Sequence, residues 1–341
     1  MTLISVIVPV FNGAATLAAT LRSALAQTHR DIEVIVIDDG STDETPAIAA
    51  RIAASDSRLR LISQANRGLA ATRNRGLAEA AGAMVAPLDA DDLWHPRKLE
   101  LQARALADAG EGTVLSYGWF AAIGADDRVL TPPKTPRIEG AVFHRHLDYN
   151  FISNGSSPLM RTGAARKLGY DTALPSCEDY KLQLELALVG RFTCVPAVLT
   201  GYRKVGGSMS SNAERMLLSH IAVLDSFRSP MRPQADRIID RRIAEFEIEL
   251  ARHRGRRGQL ARAARYAFQA ASRAPLPALR HGFAQLRRAS WGKPGREPAG
   301  AAGWTFPHDD PFAPLGLAIP DARQKRLVPL RRLDEEIAYL G

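Results

Sequence analysis

The chain has 341 residues, 46% hydrophobic and 24% charged, an ordinary soluble composition with length for one large domain plus an appendage, or two domains. No apolar run approaches the roughly 18 residues of a membrane-spanning helix. Two cysteines, Cys177 and Cys194, exclude a disulfide framework or a metal knuckle and read as reduced structural thiols of a cytosolic protein. The net charge of +9 is uneven: from Arg203 onward there are 25 Lys/Arg against 14 Asp/Glu, a net of +11, while the remainder has 20 against 22. Attraction to an anionic surface or substrate therefore belongs to the C-terminal part.

In chain order, Ile4–Val10 is a β-rich apolar run closed by the turn pair Asn12-Gly13. The N-terminus lacks a basic leader and a small-residue cleavage site, so it reads as a first core strand and not a signal peptide. Leu17, Leu21, Ala24 and Leu25 recur at helical spacing, and Ile32–Ile37 is a second buried strand ending in Asp38 and Asp39. Ser41 and Glu44 have the spacing of a capping box before a helix with Pro46 in its first turn. Leu59–Ser63 is a short strand and Leu69–Ala81 a helix stopped by Gly82. Met84–Leu88 is a buried strand that runs into Asp89, Asp91 and Asp92. Carboxylates crowded at the end of a buried strand repel one another unless a cation sits among them.

Strands alternating with helices predict a mainly parallel α/β sheet covered on both faces, with ligands beyond the carboxyl ends of the strands. Three such ends, Pro9–Asn12, Asp38–Asp43 and Asp89–Asp92, would share one rim. Further on, the sequence predicts a helix over Pro96–Ala109, a strand over Thr113–Ala121, an irregular loop over Asp126–Gly140 and a polar turn over Ile152–Pro158. A helix over Glu178–Val189 opens on two acids, which suits the positive end of its dipole. A strand over Arg191–Thr200 and a glycine- and serine-rich loop over 201–212 follow. Helices are expected over Ala213–Phe227, Ala235–Arg252 and Leu260–Ala274, an irregular Gly/Pro-rich stretch over Trp291–Pro329 and a short helix over Arg331–Leu340. The expected division is 1–212, a basic helical region 213–290 and a tail 291–341.

The segments SVIVPVFN, EVIVIDDGSTDET, NRGLAATRNRGL, VAPLDADDLWHP and CEDYKLQLELA occur in that order. Together they resemble the inverting glycosyltransferases of family 2, over about residues 3–210. The resemblance implies the GT-A fold, a mostly parallel nucleotide-diphospho-sugar transferase sheet, here with a basic helical appendage. It implies a nucleotide-sugar donor, UDP- or dTDP-linked, and a divalent cation, Mn²⁺ or Mg²⁺. Asp91, last in Asp89-Ala90-Asp91, would bind the cation; Asp92 is a neighbouring candidate and Asp89 would lie near the ribose. Asp39 would accept the ring N–H of the base, in a pocket walled by Pro9, Phe11 and Asn12, with Asp38 beside it. Arg73, with Arg67 as a second choice, would meet nucleotide or phosphate. Asp179, preceded by Glu178, would be the general base that deprotonates an acceptor hydroxyl. Arg203 would help to close a loop over the diphosphate, although Val205 stands where many relatives have His. Asn154, with Ser156 and Ser157, would lie on the acceptor side, and Trp94 is either a sugar-stacking or a core tryptophan.

The acceptor is expected to be a glycan or lipid-linked hydroxyl in cell-surface glycan or glycolipid synthesis. The chain would be cytoplasmic, with the basic region in peripheral contact with anionic membrane. Aromatic residues do not interleave with Arg252–Arg257, which argues against nucleic acid. Two other readings stay open. A sugar-nucleotide nucleotidyltransferase would want a basic phosphate loop after the first strand, whereas FNGAATLAAT has no Lys or Arg before Arg22. A non-catalytic binding or scaffold protein would not need Asp91 and Asp179.

Overall fold

The computed structural model describes residues 2–131, 133, 135–204, 212–274, 306, 330, 331 and 333–335. The loop containing Val205 and most of the expected tail lie outside them; of the expected terminal helix, Arg331 and 333–335 are described and helical. The first half alternates: β1 (Ile4–Val10), α1 (Leu17–Leu25), β2 (Ile32–Asp38), α2 (Thr45–Ser55), β3 (Leu59–Ser63), α3 (Leu69–Glu79) and β4 (Met84–Pro87). Next come β5 (Leu93–Trp94), α4 (Lys98–Asp108), β6 (Thr113–Ile123), β7 (Val129–Thr131), α5 (Phe143–Asp148), β8 (Leu159–Arg161), α6 (Thr162–Leu168), α7 (Glu178–Val189) and β9 (Arg191–Arg203). Three helices follow: α8 (Ala213–Asp225), α9 (Pro233–Arg256) and α10 (Leu260–Arg273).

The strands form one sheet in the order β3-β2-β1-β4-β8-β6-β9-β5, with β7 on β6. Pairing is parallel among β3, β2, β1 and β4 and between β6 and β9; β8 and β5 run against their neighbours. β1 lies between two parallel partners with all seven residues buried, which is why it is a continuous apolar run. Pro9 is tolerated there because the β4 ladder has already ended: Ile7 pairs with Pro87 and its carbonyl accepts from Leu88 N at 2.8 Å. Pro9 points to the same side two residues on, where no ladder bond is missing.

Alternate residues of β1 feed two cores. Ile4, Val6, Val8 and Val10 pack with Leu17 and Leu21 of α1 and Leu99 and Leu106 of α4. Ile7 faces the other core, shared by α3, α5 and α7. That core continues into Val223 and Leu224 of α8 and Ile238, Ile239 and Ile243 of α9. The change of sequence style near residue 213 is thus not a change of core.

Two local expectations need correction. Gly201, Tyr202 and Arg203 are strand, not loop, because they continue the parallel ladder against Ala121, Ala122 and Ile123. The Ser41/Glu44 capping box does not form: α2 starts at Thr45, and the Ser41 hydroxyl accepts from Asn12 N instead. Among the described residues no helix is long and apolar enough to cross a membrane.

Candidate active site

Parallel pairing aligns the carboxyl ends of β1, β2 and β4, and the loops that leave them are stitched together. Asn12 adopts φ +52°, a left-handed conformation that Asn tolerates better than most residues. Its N–H donates to Ser41 Oγ at 2.9 Å and its side-chain oxygen accepts from Thr42 N at 2.8 Å. Gly13 N donates to Thr45 Oγ1 at 2.8 Å. Asn12 therefore holds two loops in register. Phe11 stands at the rim, 52% exposed, and Pro9 is buried within β1 behind it in sequence. Asp38 is buried and its Oδ1 accepts from Ser41 N, so it shapes the turn.

Asp39 is buried and organises the next loop. Oδ1 accepts from Gln64 Nε2 at 2.8 Å and Arg67 N at 2.9 Å, and Oδ2 accepts from Gly68 N at 2.9 Å. A carboxylate offers about four acceptor positions, so Oδ2 keeps room for one further donor. Arg67 contributes its backbone here, while its side chain is exposed.

The acidic turn after β4 sorts its three carboxylates. Asp92 is fully buried: Oδ2 accepts from Ser156 Oγ at 2.6 Å and Oδ1 from Arg203 N at 2.9 Å. It is a structural acid beneath the turn and not a surface ligand. Thr20 Oγ1 donates to the carbonyls of Ala90 and Asp92, both at 2.9 Å. Arg203 braces the other side: Nε donates to Asp91 O at 2.8 Å, and Nη1 meets Gly124 O at 2.8 Å and Asp127 Oδ1 at 2.6 Å. Arg203 was expected to cover a diphosphate, yet these bonds commit it to the protein. Its neighbour Lys204 lies near the same acids. Burial pulls its pKa down to about 8, against the pull of Asp92 and Asp91 nearby.

Asp89 and Asp91 are half-buried. Asp89 is ion-paired to Arg73, whereas no other described residue donates to the Asp91 carboxylate. Burial, then the neighbouring Asp89, raises the Asp91 pKa to about 6. A divalent cation would reverse that shift, so the donor chemistry fits one. Among the described residues no three His, Cys, Asp or Glu form a cage of their own. An ion at Asp91 would complete its shell with oxygens from a ligand, as magnesium does with substrate phosphates.

Arg73 is the connection that local sequence could not show. It is buried, with Nη2 on Asp89 and Nη1 on Glu178, and lies 5.4 Å from the centroid of the Tyr170 ring. One guanidinium thus ties the turn after β4 to the first residue of α7. It was expected to meet nucleotide; both ends of its fork are used internally. Asp179, next to Glu178, is half-buried, and its Oδ1 accepts from its neighbour Tyr180 N at 2.8 Å. Burial raises the Asp179 pKa, opposed by Arg73 and assisted by Asp89. A carboxylate with a raised pKa at a half-open rim is chemically suited to take a proton from a hydroxyl.

Beneath Arg73 lies the 152–158 turn. Asn154 is buried, with Oδ1 accepting from Ser156 N and Ser157 N and Nδ2 donating to Ser157 Oγ. Asn154, Ser156 and Ser157, expected on the acceptor side, are therefore scaffold. Trp94 is core: it is buried and its Nε1 donates to Ser156 O at 2.9 Å, with Lys98 Nζ 4.2 Å over its ring. Gln64, Thr20 and Gly155 hold site groups without any sequence signal of their own.

Residues 5–165 match the model of Glycosyl transferase family 2. An uncharacterized glycosyltransferase of Haemophilus influenzae is 32% identical over 219 residues, covering 61% of this chain and 68% of that protein. Other curated glycosyltransferases match over only 23% or 30% of their own length. Among solved structures, S. aureus TarS 1-349 in complex with UDP-GlcNAc superposes with a TM-score of 0.58 at 19% identity, covering 86% of this chain and 93% of that one. The mannosyltransferase PcManGT from Pyrobaculum calidifontis, in complex with GDP-Man and Mn²⁺, gives 0.54 at 21% identity over 85% of this chain and 81% of that one. At these identities the likeness establishes the shared GT-A fold.

Proposed function

The chain belongs to glycosyl transferase family 2, and from that premise we propose that it transfers a sugar, with inversion, from a UDP- or dTDP-linked donor to a glycan or lipid-linked hydroxyl. Asp39 receives the base N–H at its remaining acceptor position. Asp91 holds a divalent cation, Mn²⁺ or Mg²⁺, which when bound neutralises charge on the leaving diphosphate. Asp179 takes the acceptor proton as attack proceeds, and one base suffices because inversion needs no covalent sugar–enzyme intermediate. Lys204 adds positive charge at the same mouth. Peripheral contact of the basic helices with an anionic membrane completes the reading.

The observation that carries it is Arg73 joining Asp89 to Glu178, because it draws the cation turn and the base helix to one rim. The test is a panel of nucleotide-sugars with Mn²⁺, read as melting temperature and sugar release. UDP or dTDP donors should stabilise the protein, and Asp91→Ala should abolish that effect. Asp179→Asn should keep donor binding and lower transfer by about 10²–10⁴-fold, the usual span for general base catalysis. Full transfer by Asp179→Asn would remove the base assignment, and a flat donor panel would remove the donor reading.

A further inference from the structure

We propose that α10, with the turn that precedes it, is a docking face for an anionic lipid surface. The proposal deepens the membrane contact suggested above, but needs no transfer chemistry to be true.

Residues 251–274 contain seven arginines and no Asp or Glu. Arg252, Arg254 and Arg273 are paired with Glu249, Glu214 and Glu247. Arg256, Arg257, Arg262 and Arg265 are exposed, and no acid among the described residues pairs with them. Gly258, at φ +73°, reverses the chain between α9 and α10, so Arg256 and Arg257 flank the start of α10.

The helix itself is amphipathic, but only part of its apolar face is covered. Ala270, with Ala274 just beyond the helix, packs on Ala244 and Ile248 of α9. Leu260, Ala264, Ala267, Phe268 and Ala271 recur at i, i+4, i+7, i+8 and i+11 and are all exposed. Leu260 is 71% and Phe268 76% exposed. Spacing of this kind places them on one stripe. Arg265, Gln269, Arg262 and Arg273 occupy the opposite arc. A helix with bulky apolar residues on one face and arginines on the other is built to lie in a headgroup interface.

Charge complementarity selects the occupant. A second copy meeting this face with its own residues 251–274 would bring more arginines and no acid to neutralise them. An anionic bilayer takes the ring of Phe268 into its acyl boundary and meets the nearby arginines with opposite charge. Through α9, which packs on α5 and α8, such docking would set the orientation of the rim toward the bilayer.

The test is sedimentation of the full chain with vesicles of pure phosphatidylcholine or of equal parts phosphatidylcholine and phosphatidylglycerol, at low and high salt. The anionic vesicles should bind at least tenfold better, and salt should remove the difference. Phe268→Ser should weaken binding on the order of tenfold, and Arg262→Glu with Arg265→Glu should abolish it. Melting temperature and donor-nucleotide binding should stay unchanged in all these variants, because their side chains face solvent. Equal binding to neutral and anionic vesicles would overturn the proposal. So would full binding by Phe268→Ser, or a concentration-dependent dimer that Phe268→Ser dissolves. Failure of the donor panel would leave this result untouched, so the two readings fail separately.

Discussion

Gly155 packs against Arg73 so closely that no side chain can stand between them: a Cβ on Gly155 would lie 2.7 Å from Arg73 Nη2 and 3.1 Å from Asp89 Oδ2. The Arg73–Asp89 ion pair is thus walled by backbone. Gly155→Ala must push the guanidinium off Asp89 or shift the turn. We expect a stability loss of about 1–3 kcal/mol, typical of overpacking, measured by urea unfolding. Transfer should fall further than donor affinity, because the damage lies between the cation turn and the base helix. An alanine variant with wild-type turnover would show that the pair need not be held.

Arg73 cannot be exchanged for another cation. Lysine keeps the charge but offers one point in place of a fork that reaches two acids at once. Arg73→Lys should fold and bind donor, with kcat reduced while KM for the donor changes little. Arg73→Ala leaves Asp89 and the buried Glu178 without their cation and should cost about 3–5 kcal/mol, the usual loss when one partner of a buried pair is removed. Chemical denaturation of both variants separates the two effects.

Asp91 and Asp92 are adjacent in sequence but should answer differently. Asp92→Asn can still accept from Arg203 N and can donate to Ser156 Oγ, so stability should change by about 1 kcal/mol or less. Its Mn²⁺-dependent melting shift with nucleotide should persist, while Asp91→Asn should lose it. If Asp92→Asn lost the shift and Asp91→Asn kept it, the two roles would be exchanged.

The raised pKa of Asp91 makes a pH prediction whose sign is fixed. The folded value of about 6 lies above the ordinary 3.8, so the folded state holds this proton more tightly than the unfolded chain. Ionised Asp91 therefore costs stability that is absent below about pH 3.8 and fully felt above about pH 6. Without metal, Asp91→Asn should melt higher than wild type at pH 7.5, with the gain fading toward pH 4. Metal-dependent donor binding by the wild type should weaken as pH falls through 6. Differential scanning fluorimetry across that range checks both.

The parallel order of the first strands was legible because ISVIVPV, IEVIVI and MVAPL are continuous apolar runs ending in polar turns, and that pattern arises only when both faces are covered. The acidic cluster was legible for the same reason. Which acid does what was not. Asp92 looks like Asp91 in sequence, and its distant partners, Ser156 and Arg203, reveal it as buried scaffold. Arg73 and Arg203 read as ligands for phosphate because a lone arginine near a glycine turn carries no sign of its partners. Their partners, Glu178 and Asp127, are supplied by the fold. Lys98 is the clearest case: a lysine at the start of an amphipathic helix reads as solvated, yet it is fully buried on Gln102 Oε1 at 2.6 Å.

Under the proposed function, the remaining acceptor position on Asp39 would act as a filter at the level of base edges. Uracil, thymine and guanine each present an imino hydrogen that can complete the carboxylate. Cytosine and adenine present a ring-nitrogen lone pair at the same edge, so the approach would set two acceptors against each other. Three donors already hold this carboxylate, from Gln64, Arg67 and Gly68, and it cannot swing aside without breaking them. Donor discrimination would then come from a lone pair held still, and CDP- and ADP-linked sugars should be refused before the sugar itself is tested.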